Sequence, residues 1–436
     1  MKALIYAFNF VPFSIKRRKM KLLLENIREL VQVEENPVPF RAGREMAKVH
    51  TIKDAFLIIR DEIIEDFGTM SQLKDKYRDD DLLIEIDCRN RLVYPSFCDS
   101  HTHLVYPAPR EKEFVDRIKG LSYEEIAQNG GGILNSAKLL HEMPAEELYS
   151  HAMERVIEIM KMGTGAVEIK SGYGLNTEDE LKMLRVIRWI RETAPICVRS
   201  TFLGAHAIPV EFKKNPSKYV DIVINEMIPQ VAADELADYI DVFCDRGFFS
   251  VEDTERILMA GMKYGLRPKI HANELGLTGG VQAAVKYNAL SVDHLEYIGE
   301  EEIAALQDSE TMPTVLPGAA FFLGMKLSPV REMIDAGLPI ALASDFNPGS
   351  SPSGNMSLIS AMGAIKYKML PEEVINATTL NSAYAMGISE SYGSIARGKI
   401  ANLFITHEVP GIEYLPYAYG SNLIETVILN GEVQTF

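Results

Sequence analysis

Five of the nine histidines stand at or near the ends of apolar, strand-like runs: His101, His103, His206, His271 and His294. The other four, His50, His141, His151 and His407, lie in helical or surface-like contexts. One histidine on an apolar strand is usually a hydrogen-bonded core residue, so the clustering is what carries information. In His101-Thr102-His103 the two-residue period of a strand turns both imidazoles to one face. Imidazole nitrogens at that spacing can hold one zinc or iron ion. Asp345 follows the run Ile340-Ala341-Leu342-Ala343-Ser344. A carboxylate there is costly unless it is paired or bound to a cation, although the lesser reading, taken alone, is a helix N-cap. Two histidines from one strand, His271 from a second and Asp345 from a third make a four-ligand set with room for water. That is the arrangement of a catalytic metal rather than a closed structural one. A metal in such a site lowers the pKa of water to about 7, which favours hydrolysis. His294, in Asp293-His294-Leu295-Glu296, would then polarise a carbonyl or orient the nucleophile.

These side chains need a frame that gathers strand ends. Strand-length apolar runs are expected at residues 92–103, 165–170, 196–206, 239–245, 268–272, 291–297, 311–316 and 339–345, with amphipathic helices between them, as at 178–192 and 251–264. Eight such units predict an α/β fold, a (β/α)8 TIM-like barrel whose active site is built at the C-terminal ends of its strands. Before it, short strands at 22–24, 30–33, 55–59 and 82–86 read as β-rich, with few helical periods before Gly120. After it, 401–405 and 426–429, closed by the turn pair Asn430-Gly431, return to strand patterning. The expected organisation is therefore a small β-sandwich from residues 20–94 and 393–436 around a barrel at 95–392. Residues 1–19 are expected to be an extension outside the folded unit, non-native or disordered.

The chain has 436 residues, 47% of them hydrophobic and 24% charged, enough for a large core. Its 45 Lys and Arg against 61 Asp and Glu give a net charge of −16, which repels nucleic-acid phosphates and anionic membranes. No apolar run approaches the roughly 20 residues that cross a bilayer. Cys88, Cys98, Cys197 and Cys244 are too sparse for a disulfide framework, so a reducing cytoplasm is expected. Gly130 to Gly132 lack the G-K-[ST] of a phosphate loop.

The ligand types and their order resemble the amidohydrolase superfamily, whose barrel carries H-x-H on its first strand, histidines on the fifth and sixth and an aspartate on the eighth. Longer segments narrow the resemblance: Leu121-Ser122-Tyr123-Glu124-Glu125-Ile126 with Gly130-Gly131-Gly132-Ile133, Glu168-Ile169-Lys170-Ser171-Gly172-Tyr173-Gly174, Phe202-Leu203-Gly204-Ala205-His206, Ile270-His271-Ala272-Asn273-Glu274-Leu275 and Ser344-Asp345-Phe346-Asn347-Pro348-Gly349-Ser350. Over residues 20–436 they are similar to the branch that opens the cyclic amide of 4-imidazolone-5-propanoate to N-formimidoyl-glutamate in histidine degradation.

That resemblance implies one zinc or iron ion per subunit, held by His101, His103, His271 and Asp345. The expected fourth strand ends Phe243-Cys244-Asp245, without the lysine that bridges a second metal in some members, and Lys170, ending the second, does not match that role. It implies catalytic roles for Asp345, His294 and Glu274, substrate contacts at Arg110, Tyr173, His206, Glu274, Asn347, Gly349 and Ser350, and a homodimer. A fixed guanidinium at Arg110 suits the propionate of a small anionic substrate. Another cyclic amidase or a nucleobase deaminase on the same scaffold is the nearer alternative. A barrel that has lost catalysis and serves as an assembly module is the more distant one.

Overall fold

The structure is a computed structural model that describes residues 21–74, 83–121, 125 and 131–436. The expected extension at 1–19 and most of the segment at 121–130 lie outside them. The chain opens with five strands, β1 (Lys21–Val31), β2 (Thr51–Arg60), β3 (Ile63–Thr69), β4 (Leu83–Asp87) and β5 (Arg91–Pro95). It ends with three more, β14 (Leu403–Glu408), β15 (Ile424–Leu429) and β16 (Glu432–Val433). Both ends share one sheet in the order β16-β15-β14-β5-β1-β2-β3, with β4 alongside β1. One face packs Leu22, Leu24, Leu57, Ile59, Val93, Ile405 and Ile428, and the other packs Leu23, Phe56 and Ile58. The alternation follows directly from the strand period.

Between the two ends lie β6 (Phe97–Thr102), β7 (Thr164–Lys170), β8 (Cys197–Ala205), β9 (Tyr239–Cys244), β10 (Arg267–Ala272), β11 (Ser291–His294), β12 (Met312–Val315) and β13 (Ala341–Leu342). All seven neighbouring pairs are parallel. A bridge between Thr102 and Phe346 closes the ring. Helices follow the strands, among them Thr177–Thr193, capped by the Asn176 side chain, and Val251–Met262, capped by Ser250 in a capping box. The fold is α/β: a (β/α)8 barrel with a small β-sandwich from both chain termini.

Several expected strands differ in extent. The run at 92–103 is two strands, because Pro95 has no N–H to continue a ladder and the chain changes sheets at Ser96. Ser96 N donates to Asn402 in the sandwich, whereas Phe97 N donates to Gly163 in the barrel. The runs at 22–24 and 30–33 are one strand, irregular between Leu24 and Ile27, where Asn26 has φ +54°. Among the elements that went unanticipated are β3 and the helix Glu111–Ile118 before Gly120. The run at 339–345 keeps only two ladder residues. Beyond them Ser344 N and Oγ donate to the Asp99 carboxylate at 3.0 and 2.5 Å, and side-chain bonding replaces the ladder. The run at 291–297 stops at His294, where φ turns to +87°, followed by +65° at Leu295.

Candidate metal centre

The C-terminal ends of β6, β10 and β11 bring His101, His103, His271 and His294 together, and Asp345 arrives just past β13. All five are buried. His101 Nε2 lies 3.3 Å from His103 Nε2, which lies 3.4 Å from His271 Nε2. Asp345 Oδ1 is 3.6 Å from both His101 Nε2 and His103 Nε2. Burial, then the neighbouring Lys170 and histidines, hold the His101 ring far below its usual pKa. Burial with His206 and His271 does the same for His103. Neutral rings present lone pairs, and lone pairs this close repel unless a cation lies among them. A tetrahedral site with bonds of about 2.1 Å has ligand-to-ligand edges of about 3.4 Å, so the donor set fits one divalent ion.

Behind these rings stands a layer of carboxylates. His101 Nδ1 is 2.6 Å from Asp293 Oδ2. His271 Nδ1 is 3.0 Å from Asp241 Oδ2, close enough for an ion contact but not aligned as a hydrogen bond. A proton on each Nδ1 leaves the Nε2 atoms free as ligands.

His294 lies between two carboxylates, with Nε2 at 3.6 Å from Glu274 and Nδ1 at 3.6 Å from Glu296. Burial opposes its imidazolium, but Glu274 and Glu296 outweigh burial and raise its pKa to about 10. Burial pushes Glu274 up to about 7 against the pull of His294. Asp345 is likewise raised by burial, with His294 and His271 acting the other way.

The remaining expected residues line the mouth. His206 stacks on His103 with ring centres 5.1 Å apart and is held by Gly172 O, 3.1 Å from its Nδ1. Burial and the nearby His271 keep it neutral, with a pKa of about 3. Tyr173 is 5.9 Å from His103. Its loop is pinned by Glu180, whose carboxylate accepts N–H groups of Gly172, Gly174 and Leu175 at 3.0, 2.7 and 3.1 Å. Arg110 Nε and Nη2 donate to Glu113 Oε2 at 2.9 and 2.6 Å, while the other oxygen of Glu113 accepts Gly132 N. Gly349 lies against that guanidinium, where a Cβ would come within 2.4 Å of Nη1. Asn347 is committed to its own loop: Oδ1 accepts the N–H groups of Gly349 and Ser350, and Nδ2 donates to Asp345 O and Ser350 Oγ. Its side chain shapes the loop that presents Gly349 and Ser350.

Sequence reasoning missed Asp241, Asp293, Glu296 and Glu113, and left Lys170 without a place. Charged residues inside otherwise apolar strands were the signal for the first two, and two-residue spacing from His294 was the signal for Glu296.

The architecture and the buried ligand cluster define a metal-type hydrolase barrel, and comparison with known proteins agrees. The model of the Amidohydrolase family matches residues 92–433. The imidazolonepropionase of Flavobacterium johnsoniae is 55% identical over 414 residues, 95% of this chain and 100% of its own. That of Christiangramia forsetii is 53% identical with the same coverage. Among solved structures, an adenosine deaminase from Xanthomonas campestris with bound zinc has a TM-score of 0.70 at 16% identity, covering 95% of this chain and 92% of that one. Guanine deaminase of E. coli has a TM-score of 0.69 at 14% identity, with coverage of 95% and 99%. At that identity the deaminases share the fold alone.

The chain belongs to the amidohydrolase family and, within it, to the imidazolonepropionases. It is a hydrolase acting on a carbon–nitrogen bond.

Proposed function

We propose that this chain adds water across a ring carbon–nitrogen bond of 4-imidazolone-5-propanoate, giving N-formimidoyl-L-glutamate in histidine degradation. The observation that carries the reading is the convergence of His101, His103, His271 and Asp345 at ligand spacing in a chain 55% identical to an imidazolonepropionase along its full length. One zinc or iron ion per subunit would be held by those four; three nitrogens and one carboxylate oxygen suit either. When bound, it supplies Lewis acidity and makes a water ionisable near pH 7.

The remaining work belongs to side chains. Asp345 takes a proton from the attacking water and returns it to the departing ring nitrogen as the carbon–nitrogen bond breaks. His294, kept protonated by Glu274 and Glu296, donates to the oxygen on which charge develops. Glu274 accepts a ring N–H. Arg110, oriented by Glu113, receives the propionate as a charge-assisted pair. Tyr173 and His206 line the space between, with Gly349 and Ser350 on the loop that Asn347 holds in shape.

The four cysteines are free thiols, which suits the cytoplasm. No described helix is long and apolar enough to cross a membrane. A homodimer completes the proposal. An ultraviolet assay following loss of the imidazolone chromophore, with and without chelator, tests the reaction: turnover without sensitivity to exhaustive chelation removes the metal, and no turnover with metal restored removes the substrate.

A further inference from the structure

Lys170 is fully buried inside the barrel. Its Nζ donates to Glu168 Oε1 at 2.6 Å and to Asp241 Oδ2 at 2.8 Å, and lies 3.6 Å from Asp293 Oδ2. Those two aspartate oxygens are the same atoms that face the histidines: Asp241 Oδ2 faces His271 Nδ1, and Asp293 Oδ2 faces His101 Nδ1. One ammonium therefore forks to two carboxylates, and each carboxylate backs a different proposed ligand. The neighbours complete the frame. Glu168 also binds Lys269 and accepts Thr201 Oγ1, Ser291 Oγ donates to Asp293 Oδ1, and Asp241 Oδ1 accepts His271 N.

Burial alone would expel a proton from Lys170, yet Asp241, Glu168 and Asp293 more than offset it and the ammonium is held well above its usual pKa. Nothing in the proposed reaction uses this group, and it does not reach the mouth. Its sequence position, at the end of β7, is three strands from β10 and one from β6, so it ties together staves that local structure cannot.

We propose that Lys170 is a positioning residue for the metal centre: by clamping Asp241 and Asp293 it fixes the rings of His271 and His101, with Nδ1–H turned to the carboxylates and Nε2 to the cation. The inference rests on the metal reading above. A positioning role and a purely electrostatic one predict opposite signs. Removing a buried cation near a divalent ion relieves repulsion and should tighten metal binding if charge is all that matters; removing a clamp should loosen it.

The test is Zn²⁺ affinity of the whole protein, measured by competition with a chromogenic chelator. Lys170→Met is expected to weaken Zn²⁺ binding by roughly 10- to 100-fold, the usual cost of losing a partner behind a ligand. Lys170→Met combined with Glu168→Gln keeps the formal charge of the cluster constant, guards against misfolding from unbalanced carboxylates, and should show the same loss. Circular dichroism identifies the folded variants. Affinity unchanged within twofold, or tighter, in a folded variant overturns the proposal. Failure of the unaltered protein to bind one Zn²⁺ overturns the metal reading instead, so the two failures are distinguishable.

Discussion

The mouth of the barrel and the terminal β-sandwich are both made of strands, but they treat their backbone and polar atoms in opposite ways. In the sandwich, β1 and β2 pair from Lys21–Arg60 to Val31–Thr51 with one irregularity between Leu24 and Ile27, and the left-handed residues Asn26, Asp54, Asp61, Asn90 and Asn430 are of types that tolerate that conformation. At the mouth, β13 keeps two ladder residues, and positive φ falls on His294, Leu295 and Asp345. Leucine in that region is strained, and strain of this kind collects at functional sites. Polar satisfaction divides similarly. Buried side-chain atoms without a hydrogen-bond partner include His103 Nδ1, His271 Nδ1, Asn273 Nδ2, His294 Nδ1 and Glu296 Oε2, all at the mouth. Among the described residues none lies on a sandwich strand. The sandwich spends its hydrogen bonds on holding shape, whereas at the mouth His271 Nδ1 and His294 Nδ1 have ion contacts, to Asp241 and Glu296, in place of aligned hydrogen bonds.

That contrast predicts a ranking of substitutions. His271→Ala should have the largest effect, abolishing both stoichiometric metal and turnover, read by elemental analysis and the ultraviolet assay. Full activity with normal metal content would undo the ligand assignment. His294→Asn should leave the metal in place and lower kcat by roughly 10²- to 10⁴-fold, the range of a positioned proton donor. His294 Nε2 or Nδ1 also lies within ligand reach of His101 and His271, so loss of metal in this variant would make His294 a ligand instead of a donor.

A smaller effect attaches to pH. Glu274 accepts a ring N–H most strongly when ionised, and its pKa is raised to about 7 by burial. The carboxylate predominates above that value and the acid below it, so kcat/KM should fall as pH drops through about 7. Glu274→Gln should remove this limb while lowering the plateau; a limb that survives the substitution belongs to another group. Smaller again is Arg110→Gln, where loss of a charge-assisted pair costs about 1.5–3 kcal/mol. KM should rise between roughly tenfold and a hundredfold with kcat little changed, and a fall in kcat alone would move Arg110 from binding the propionate to shaping the mouth.

The barrel was legible because parallel strands buried on both faces read as apolar runs, and the proposed ligands could be singled out because histidines at strand ends stand out against such runs. Strand ends were less legible. Whether 291–297 continues as a strand depends on His294 turning to φ +87°, which no local pattern announces, and the switch of sheets at Ser96 depends on partners at Asn402 and Gly163, far away in the chain. The layer behind the ligands was hidden for the same reason. Lys170, Asp241 and Asp293 come from β7, β9 and β11, and only closure of the barrel reveals that one lysine touches both aspartates.

A truncation in the sandwich core tests whether the two regions are separable at all. Leu57 is fully buried in β2, paired with Leu24 and packed in the sandwich core with Ile59 and Val93. Leu57→Ala should destabilise the protein by about 2–5 kcal/mol, the usual loss for a truncated core leucine, seen as a lower urea midpoint. It should leave metal content and kcat of the folded fraction unchanged, because no expected site residue lies on the sandwich strands. The regions do touch: Asn402 Nδ2 donates to Gly165 O in β7 at 2.8 Å, five residues before Lys170. If Leu57→Ala lowers kcat more than about threefold at full metal occupancy, strain is passing through that contact into the clamp behind the ligands. The sandwich would then help to set the geometry of the mouth as well as the stability of the chain.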